Sequence, residues 1–275
     1  MYEEILYEVS DPVAIITFNR PERLNALTGR TQVELKHAMI QAEADERVVG
    51  IVLTGAGRAF SAGADMQTLS AISKAGKIER DDGLAQMESE SRGRDVAPEF
   101  AVTWSFIPSL KKPVIAAVNG PCAGMSTAIA AMCDIRFASD KALFTTSFSQ
   151  RGLIAEHGLS WILPRLLGPS RALDLLWSAR KVDAEEALQL GLVDRVVDGD
   201  VVQEARKYIE DLAQTCSPTS IMTMKRQVYL HMMRPLNEAM DESNRLMAES
   251  LARTDFKEGV ASFMEKRPPS FGRIQ

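Results

Sequence analysis

Histidine, cysteine and aromatic residues are scarce in this 275-residue chain: three, three and 6%. His37 and His231 fall into no metal-ligating or triad pattern, and Cys122, Cys133 and Cys216 are an odd number without ligand spacing. The cysteines read as reduced thiols, and no metal site is expected. Ser61, Ser126, Ser147 and Ser149 lack the G-x-S-x-G setting of a hydrolase nucleophile. P-loop and dinucleotide fingerprints are also missing. There is no excess of basic charge: 32 Lys and Arg stand against 37 Asp and Glu, for a net charge of −5. That balance argues against a nucleic-acid partner, which needs a basic face to neutralise phosphates. Long hydrophobic runs are lacking too. The longest apolar-rich stretch, 125-MSTAIAAMC-133, is too short to span a bilayer, so no membrane partner is expected. The acidic 1-MYEEILYEVSD has neither the basic nor the apolar region of a signal peptide, and 273-RIQ is not a peroxisomal address. A soluble, cytoplasmic protein is expected.

What remains is ordinary globular material. A 45% hydrophobic content over this length suffices for one large core, or for one domain with an appendage. Strand signals recur at 13-VAIITF-18, 48-VVGIVLT-54, 113-PVIAAVN-119 and 134-DIRFAS-139, each bounded by Gly, Pro, Asn or Asp. Between them, 31-TQVELKHAMIQAEAD-45 places Val33, Leu35, Met39 and Ile40 roughly on one helix face, with Thr31 or Thr28 as N-cap. This alternation argues an α/β fold. The second half reads as helical. The stretch 171-RALDLLWSAR-180 is amphipathic, and 183-DAEEALQLG-191 has an Asp cap, an acidic first turn and a Gly stop. Residues 200–233 and 235–254 predict two long helices, and a last one is stopped by Pro268-Pro269. We divide the chain into a core domain, 1–199, and a C-terminal helical region, 200–275. Residues 66–100, polar and weakly periodic, read either as a mobile lid beside the site or as a plain surface loop.

Two Gly/Ala-rich turns follow strands, 54-TGAGRAFSAGAD-65 and 119-NGPCAG-124, where α/β folds place ligands. The second opens the helical stretch 119-NGPCAGMSTAIAAMCD-134 and aims free N–H groups at something electron-rich. It supplies no acid or base before Asp134. With 19-NRPERLNAL-27, 112-KPVIAAVNG-120, 132-MCDIRFAS-139, 179-ARKVDAEEALQLGLVDRVV-197 and 255-DFKEGVASFMEKR-267, in this order and spacing, the chain resembles the enoyl-CoA hydratase/isomerase (crotonase) family over nearly its whole length. The resemblance implies a spiral of ββα units with a helical C-terminal region that mediates assembly into a homotrimer or a dimer of trimers. It implies acyl-CoA thioester substrates, with coenzyme A as part of the substrate and no permanently bound cofactor. By the same resemblance, the backbone N–H groups of Ala64 and Met125 form an oxyanion hole. Arg23 and Leu24 line the coenzyme A groove, and a backbone group of Ala62 meets the adenine. Phe263 and Lys266 reach the nucleotide from the last helix, often that of a neighbouring subunit, with Lys266 and Arg267 as a basic patch for the phosphates.

Typical hydratases of the family carry two glutamates, at positions that are Ala128 and Phe148 here. Neither residue transfers protons. A replacement stands in 152-GLIAEHGLSW-161, where Glu156 resembles the single acidic residue of Δ3,Δ2-enoyl-CoA isomerases of the peroxisomal type. Phe148 and Ile154 are expected to give it an apolar setting. His157 is read as a structural or supporting neighbour, while Phe148, His157 and Trp161 are candidate pocket residues. Asp65 and Asp134 are read as structural. The best-matched reaction is movement of a double bond from Δ3 to Δ2 with Glu156 as acid and base. An atypical hydratase using Glu156 and a catalytically silent acyl-CoA-binding protein are the alternatives.

Overall fold

The computed structural model describes residues 2–67, 70, 82–91 and 98–274. Most of the expected lid segment lies outside the described residues. Among those described, six strands form one sheet in the order β1 (Ile5–Ser10), β2 (Val13–Phe18), β3 (Gly50–Gly55), β4 (Val114–Val118), β6 (Ile135–Ser139) and β9 (Arg195–Val197). Only β1 with β2 is antiparallel. Strands β3 and β4 are buried along their whole length, as central strands covered on both faces must be, hence their near-continuous apolar sequences. A smaller sheet pairs β5 (Pro121–Ala123) with β7 (Leu143–Thr145) and β7 with β8 (Val182–Asp183). Isolated parallel bridges, Leu27 to Ala64 and Ser61 to Cys122, continue this second layer. The chain therefore passes from a large-sheet strand to a second-layer strand to a helix, repeatedly, which is the expected spiral of ββα units.

Sequence patterning located the central strands but not β1, β5, β7, β8 and β9. The last four are two or three residues long, too short to show a period. The first long helix runs Gly29–Ala44 with Thr28 as its N-cap, the Thr28 hydroxyl accepting from Thr31 N–H. Its buried face is Thr31, Glu34, Leu35, Ala38, Met39 and Ala42, so Val33 and Ile40 sit at the margin. Glu34 is fully buried because its carboxylate accepts from Glu3 and Glu4 N–H. Asp183 caps the helix Ala184–Leu190, and Gly191 ends it in the left-handed region, as expected.

The long helix expected over 200–233 is two. Val201–Thr215 ends before Ser217, whose hydroxyl caps Pro218–His231, with Pro218 at the first turn. The first of these covers the far face of the large sheet, placing Val201, Ala205 and Ile209 against Val13, Val49, Val52, Ile115, Ala117 and Phe137. It thus packs as part of the core. Pro218–His231 is anchored differently. Lys225 Nζ donates to Asp134 Oδ2 at 2.7 Å and to the carbonyl of Lys112 at 2.9 Å. Asp134 also accepts from Val114 N–H and from the Tyr229 hydroxyl. The Lys225 and Asp134 side chains are 7% and 15% exposed, so removing the carboxylate strands a nearly buried ammonium. Asp134→Ala should lower the unfolding free energy by about 3 kcal/mol, read from the urea midpoint at unchanged slope.

Among the described residues no helix is long and apolar enough to cross a membrane. Cys122 and Cys133 are buried free thiols pushed up to about 12 by burial, and Cys216 is free and half-buried.

Candidate active site

The ends of β3 and β4 run into turns that the sequence folds against each other. Asn25 is buried, and its amide donates to the carbonyls of Ala56 and Ala59. Asn119 donates to the carbonyls of Gly55 and Gly57. Together they fix the turn after β3. The next residues are stitched to the turn after β4. Ser61 N–H donates to Pro121 O, Ala123 N–H donates to Ser61 O, and the buried Ser126 hydroxyl bridges Ser61 O and Ala123 O. Gly63 has φ +86°, and a Cβ there would lie 2.3 Å from Ala123 O and 3.4 Å from Met125 N. Gly124, φ +57°, starts the helix Met125–Met132. Only glycine lets two backbones approach this closely in this conformation.

This packing leaves two donors over. Leu27 N–H and C=O are taken by Gly63 O and Asp65 N–H, so the Ala64 N–H between them points away from that pairing. Met125 N–H is in the first helical turn, where no intrahelical acceptor exists. Neither has an acceptor among the described residues. Both residues line a cavity of about 410 Å³. Arg23, Ala62, Phe148, Arg151, Glu156 and His157 border the same space.

Two carboxylates lie in that lining among the described residues, Asp65 and Glu156. Asp65 is held by Arg20 at 3.1 Å and caps Gln67 N–H, which supports its structural reading. The Glu156 side chain is 38% exposed, with Oε2 3.5 Å from His157 Nε2. The tight turn closed by Glu156 N–H to Ile154 O leaves Ile154 79% exposed. The apolar wall expected from Ile154 is therefore not formed. Phe148, buried with its ring tilted 49° to that of His157 at 6.2 Å between centroids, remains as an apolar neighbour in the cavity lining. Ala128, the other position where hydratases carry glutamate, is fully buried.

His157 takes φ +57°, a conformation uncommon for a side chain of its size. Burial lowers its pKa below 6.5, against a smaller raising effect of Glu156, so the imidazole is neutral at pH 7. A histidine with a lowered folded value contributes stability that is present above the unfolded value of about 6.5 and lost as pH falls through the folded one. The unfolding free energy of wild type relative to His157→Asn should therefore be flat above about pH 6.5 and fall below it; Asn is chosen because it tolerates left-handed backbone.

Of the remaining expected site residues, Leu24 is beside the cavity rather than in its lining; its carbonyl accepts from Ala62 N–H. Trp161 borders a neighbouring cavity, with the Arg165 guanidinium 4.0 Å over its ring. Phe263, 83% exposed, and Lys266 lie at the end of the helix Thr254–Glu265, outside the cavity lining of their own chain. Arg267 is paired with Glu258 and Glu265, so it adds no free charge to the expected basic patch. Sequence reasoning missed Arg151, Asn25, Asn119 and the Ser61–Ser126 stitch. The N of 19-NRPERLNAL-27 before its final Ala-Leu was the one available signal, since a buried Asn in the left-handed region marks a turn.

The chain matches the enoyl-CoA hydratase/isomerase family model over residues 8–274. It is 35% identical over 272 residues to a "probable enoyl-CoA hydratase" of Rhodobacter capsulatus, covering 98% of both chains. It is also 35% identical over 271 residues to one of Rhizobium meliloti, again at 98% of both. The crystal structure of an enoyl-CoA hydratase/isomerase family protein from Hyphomonas neptunium superposes with a TM-score of 0.84 at 30% identity, covering 99% of this chain and 98% of that one. For an enoyl-CoA hydratase from Bacillus anthracis the TM-score is 0.83 at 27% identity, covering 98% and 99%. Two facing turns with spare N–H groups, in a fold and a sequence shared with these proteins, place this chain in the enoyl-CoA hydratase/isomerase family of acyl-CoA enzymes.

Proposed function

We propose that the protein moves a double bond in an acyl-CoA thioester from Δ3 to Δ2, with Glu156 as both acid and base. The observation that carries this reading is the composition of the cavity. Glu156 shares it with the Ala64 and Met125 N–H donors, while Ala128 and Phe148 bring only hydrocarbon to the hydratase positions. Glu156 takes a proton from C2. The C–H electron pair forms a C1–C2 double bond as the carbonyl π pair moves onto the thioester oxygen, giving a dienolate; when the carbonyl re-forms, the C1–C2 pair becomes the C2–C3 double bond and the C3–C4 pair takes up a proton at C4. The dienolate oxygen accepts from both N–H groups, and the Glu156 carboxyl returns its proton to C4. Hydration would need a second group to activate water, and His157, 3.5 Å from Glu156, is a protic neighbour in the same loop. The names of the relatives favour that second reading, an atypical hydratase.

Coenzyme A enters as part of the substrate, with no resident cofactor. Arg23 and Arg151 on the cavity lining suit its phosphates. The helices Pro218–His231, Leu236–Leu251 and Thr254–Glu265 leave Met224, Leu236, Met240, Phe256, Phe263 and Met264 exposed. Such a surface supports assembly with further copies, as a trimer or a dimer of trimers, which would bring Phe263 and Lys266 to a neighbour's site. The test is an assay of purified protein with a 3-enoyl-CoA and the matching trans-2-enoyl-CoA. The isomerase reading expects the 3-enoyl thioester to become the 2-enoyl thioester without accumulation of 3-hydroxyacyl-CoA. Rapid hydration of the 2-enoyl thioester would favour the second reading, and binding without turnover of either would leave a silent binder.

A further inference from the structure

The loop that carries Glu156 holds it from both sides. Glu156 N–H donates to Ile154 O, and Glu156 C=O accepts from Leu159 N–H. His157 and Gly158, between them, are both left-handed, at φ +57° and +80°. Glycine adopts that region freely, whereas histidine does so at a cost. A Cβ on Gly158 would lie 2.4 Å from Met132 Cε, so close packing of the following helix requires the glycine. Strain at a residue beside a reacting group points to a use for it. Here it brings the imidazole to within 6.2 Å of the Phe148 ring, centroid to centroid, and leaves Nε2 3.5 Å from Glu156 Oε2. That separation is longer than an ordinary hydrogen bond of about 2.7–3.2 Å. Other charged groups stand off from the imidazole or are engaged elsewhere. In the shared cavity lining, Arg23 is exposed, Arg151 Nη1 donates to Ser147 O, and Asp65 is held by Arg20. On the other side, Glu99 borders the adjoining chamber and is exposed.

We propose that His157 is a positioning residue for Glu156: neutral, it leaves the carboxylate free to reach the substrate, and protonated, it holds the carboxylate in an ion pair that switches the site off in acid. A neutral imidazole carries one N–H and no charge, so at 3.5 Å it restrains Glu156 weakly. An imidazolium carries a proton on each nitrogen and draws the carboxylate in by charge as well. Burial keeps the imidazole neutral at pH 7, so the switch acts below about pH 6.5. The inference rests on reading Glu156 as the base.

Imidazole titration by NMR, set beside the pH profile of turnover, tests it. The chain has three histidines, so the His157 ring signal is the one missing from the spectrum of His157→Asn. In wild type its titration midpoint should coincide with the acid limb of kcat for a 3-enoyl-CoA. In Glu156→Gln the midpoint should fall by about half a pH unit or more, because the carboxylate that favours the imidazolium is gone. With each profile scaled to its own plateau, His157→Asn should keep its rate to about one pH unit lower than wild type. Should His157→Asn fail to fold, the shift between wild type and Glu156→Gln still decides. A midpoint unmoved in Glu156→Gln overturns the inference, as does an acid limb unmoved in His157→Asn. Absence of turnover by wild type at every pH overturns the double-bond reading and this inference with it; turnover with an unmoved acid limb overturns this inference alone.

Discussion

Glu156→Gln will lower kcat for double-bond migration about 10³-fold and change the Kd of a saturated acyl-CoA by less than about threefold. Glutamine keeps the shape and the hydrogen-bonding reach toward His157 Nε2, 3.5 Å away in wild type, but it cannot take or return a proton. A general acid or base in this position contributes typically 10²–10⁴ in rate. The lining of the cavity offers no second free carboxylate among the described residues, because Asp65 is held by Arg20 and by Gln67 N–H. Turnover assays and calorimetry on the same preparations check the split. A matched loss of binding would mean that Glu156 holds the ligand rather than moving protons, and unchanged turnover would remove it from the chemistry.

The second large effect is expected from a methyl group. In Gly63→Ala, the new Cβ would sit 2.3 Å from Ala123 O, at a φ of +86° that disfavours alanine. Ala123 is backbone in the opposing turn and cannot swing aside, so the turns must part. Met125 N, 3.4 Å from the same Cβ, would move with it, and the two donors would no longer converge on one oxygen. Losing one such donor costs about 10²–10³ in kcat. The variant should therefore lose at least about 10² in kcat, with a urea midpoint lowered by the same clash. Gly29→Ala is the control: nothing lies within 4 Å of a Cβ there, and activity should be unaltered. Equal activity of the two variants would show that the approach of the turns is not what builds the site.

The contrast between Gly63 and Glu156 shows what the sequence could disclose. The central strands were legible because burial on both faces demands unbroken apolar runs, as in Gly50–Gly55 and Val114–Val118. The helix Gly29–Ala44 and the Asp183 cap were legible because their signals are local. Strands of two or three residues were not, since their existence depends on partners far along the chain, as Pro121–Ala123 depends on Leu143–Thr145. The site divides in the same way. Ala64, Met125 and Glu156 were placed by resemblance, and the structure brings all three to one cavity. The surroundings of Glu156 were misjudged because Ile154, apolar and two residues away, is turned outward by a local hydrogen bond that no pattern of residue types announces. Arg151 and the Ser61–Ser126 stitch were missed for the converse reason: both are ordinary surface-type residues whose roles exist only once separate turns meet.

The central claim is that Glu156 takes a proton from C2 and delivers one to C4, its 38% exposed carboxyl exchanging with solvent between the two steps, while the thioester oxygen rests on two backbone donors. Deuterium incorporation during turnover of a 3-enoyl-CoA in D₂O, read by mass spectrometry with wild type and Glu156→Gln, tests it most directly. The account predicts a 2-enoyl product labelled at C4 with wild type and neither product nor label with the variant. A 3-hydroxyacyl product without C4 label, or C4 labelling that persists in Glu156→Gln, would contradict it.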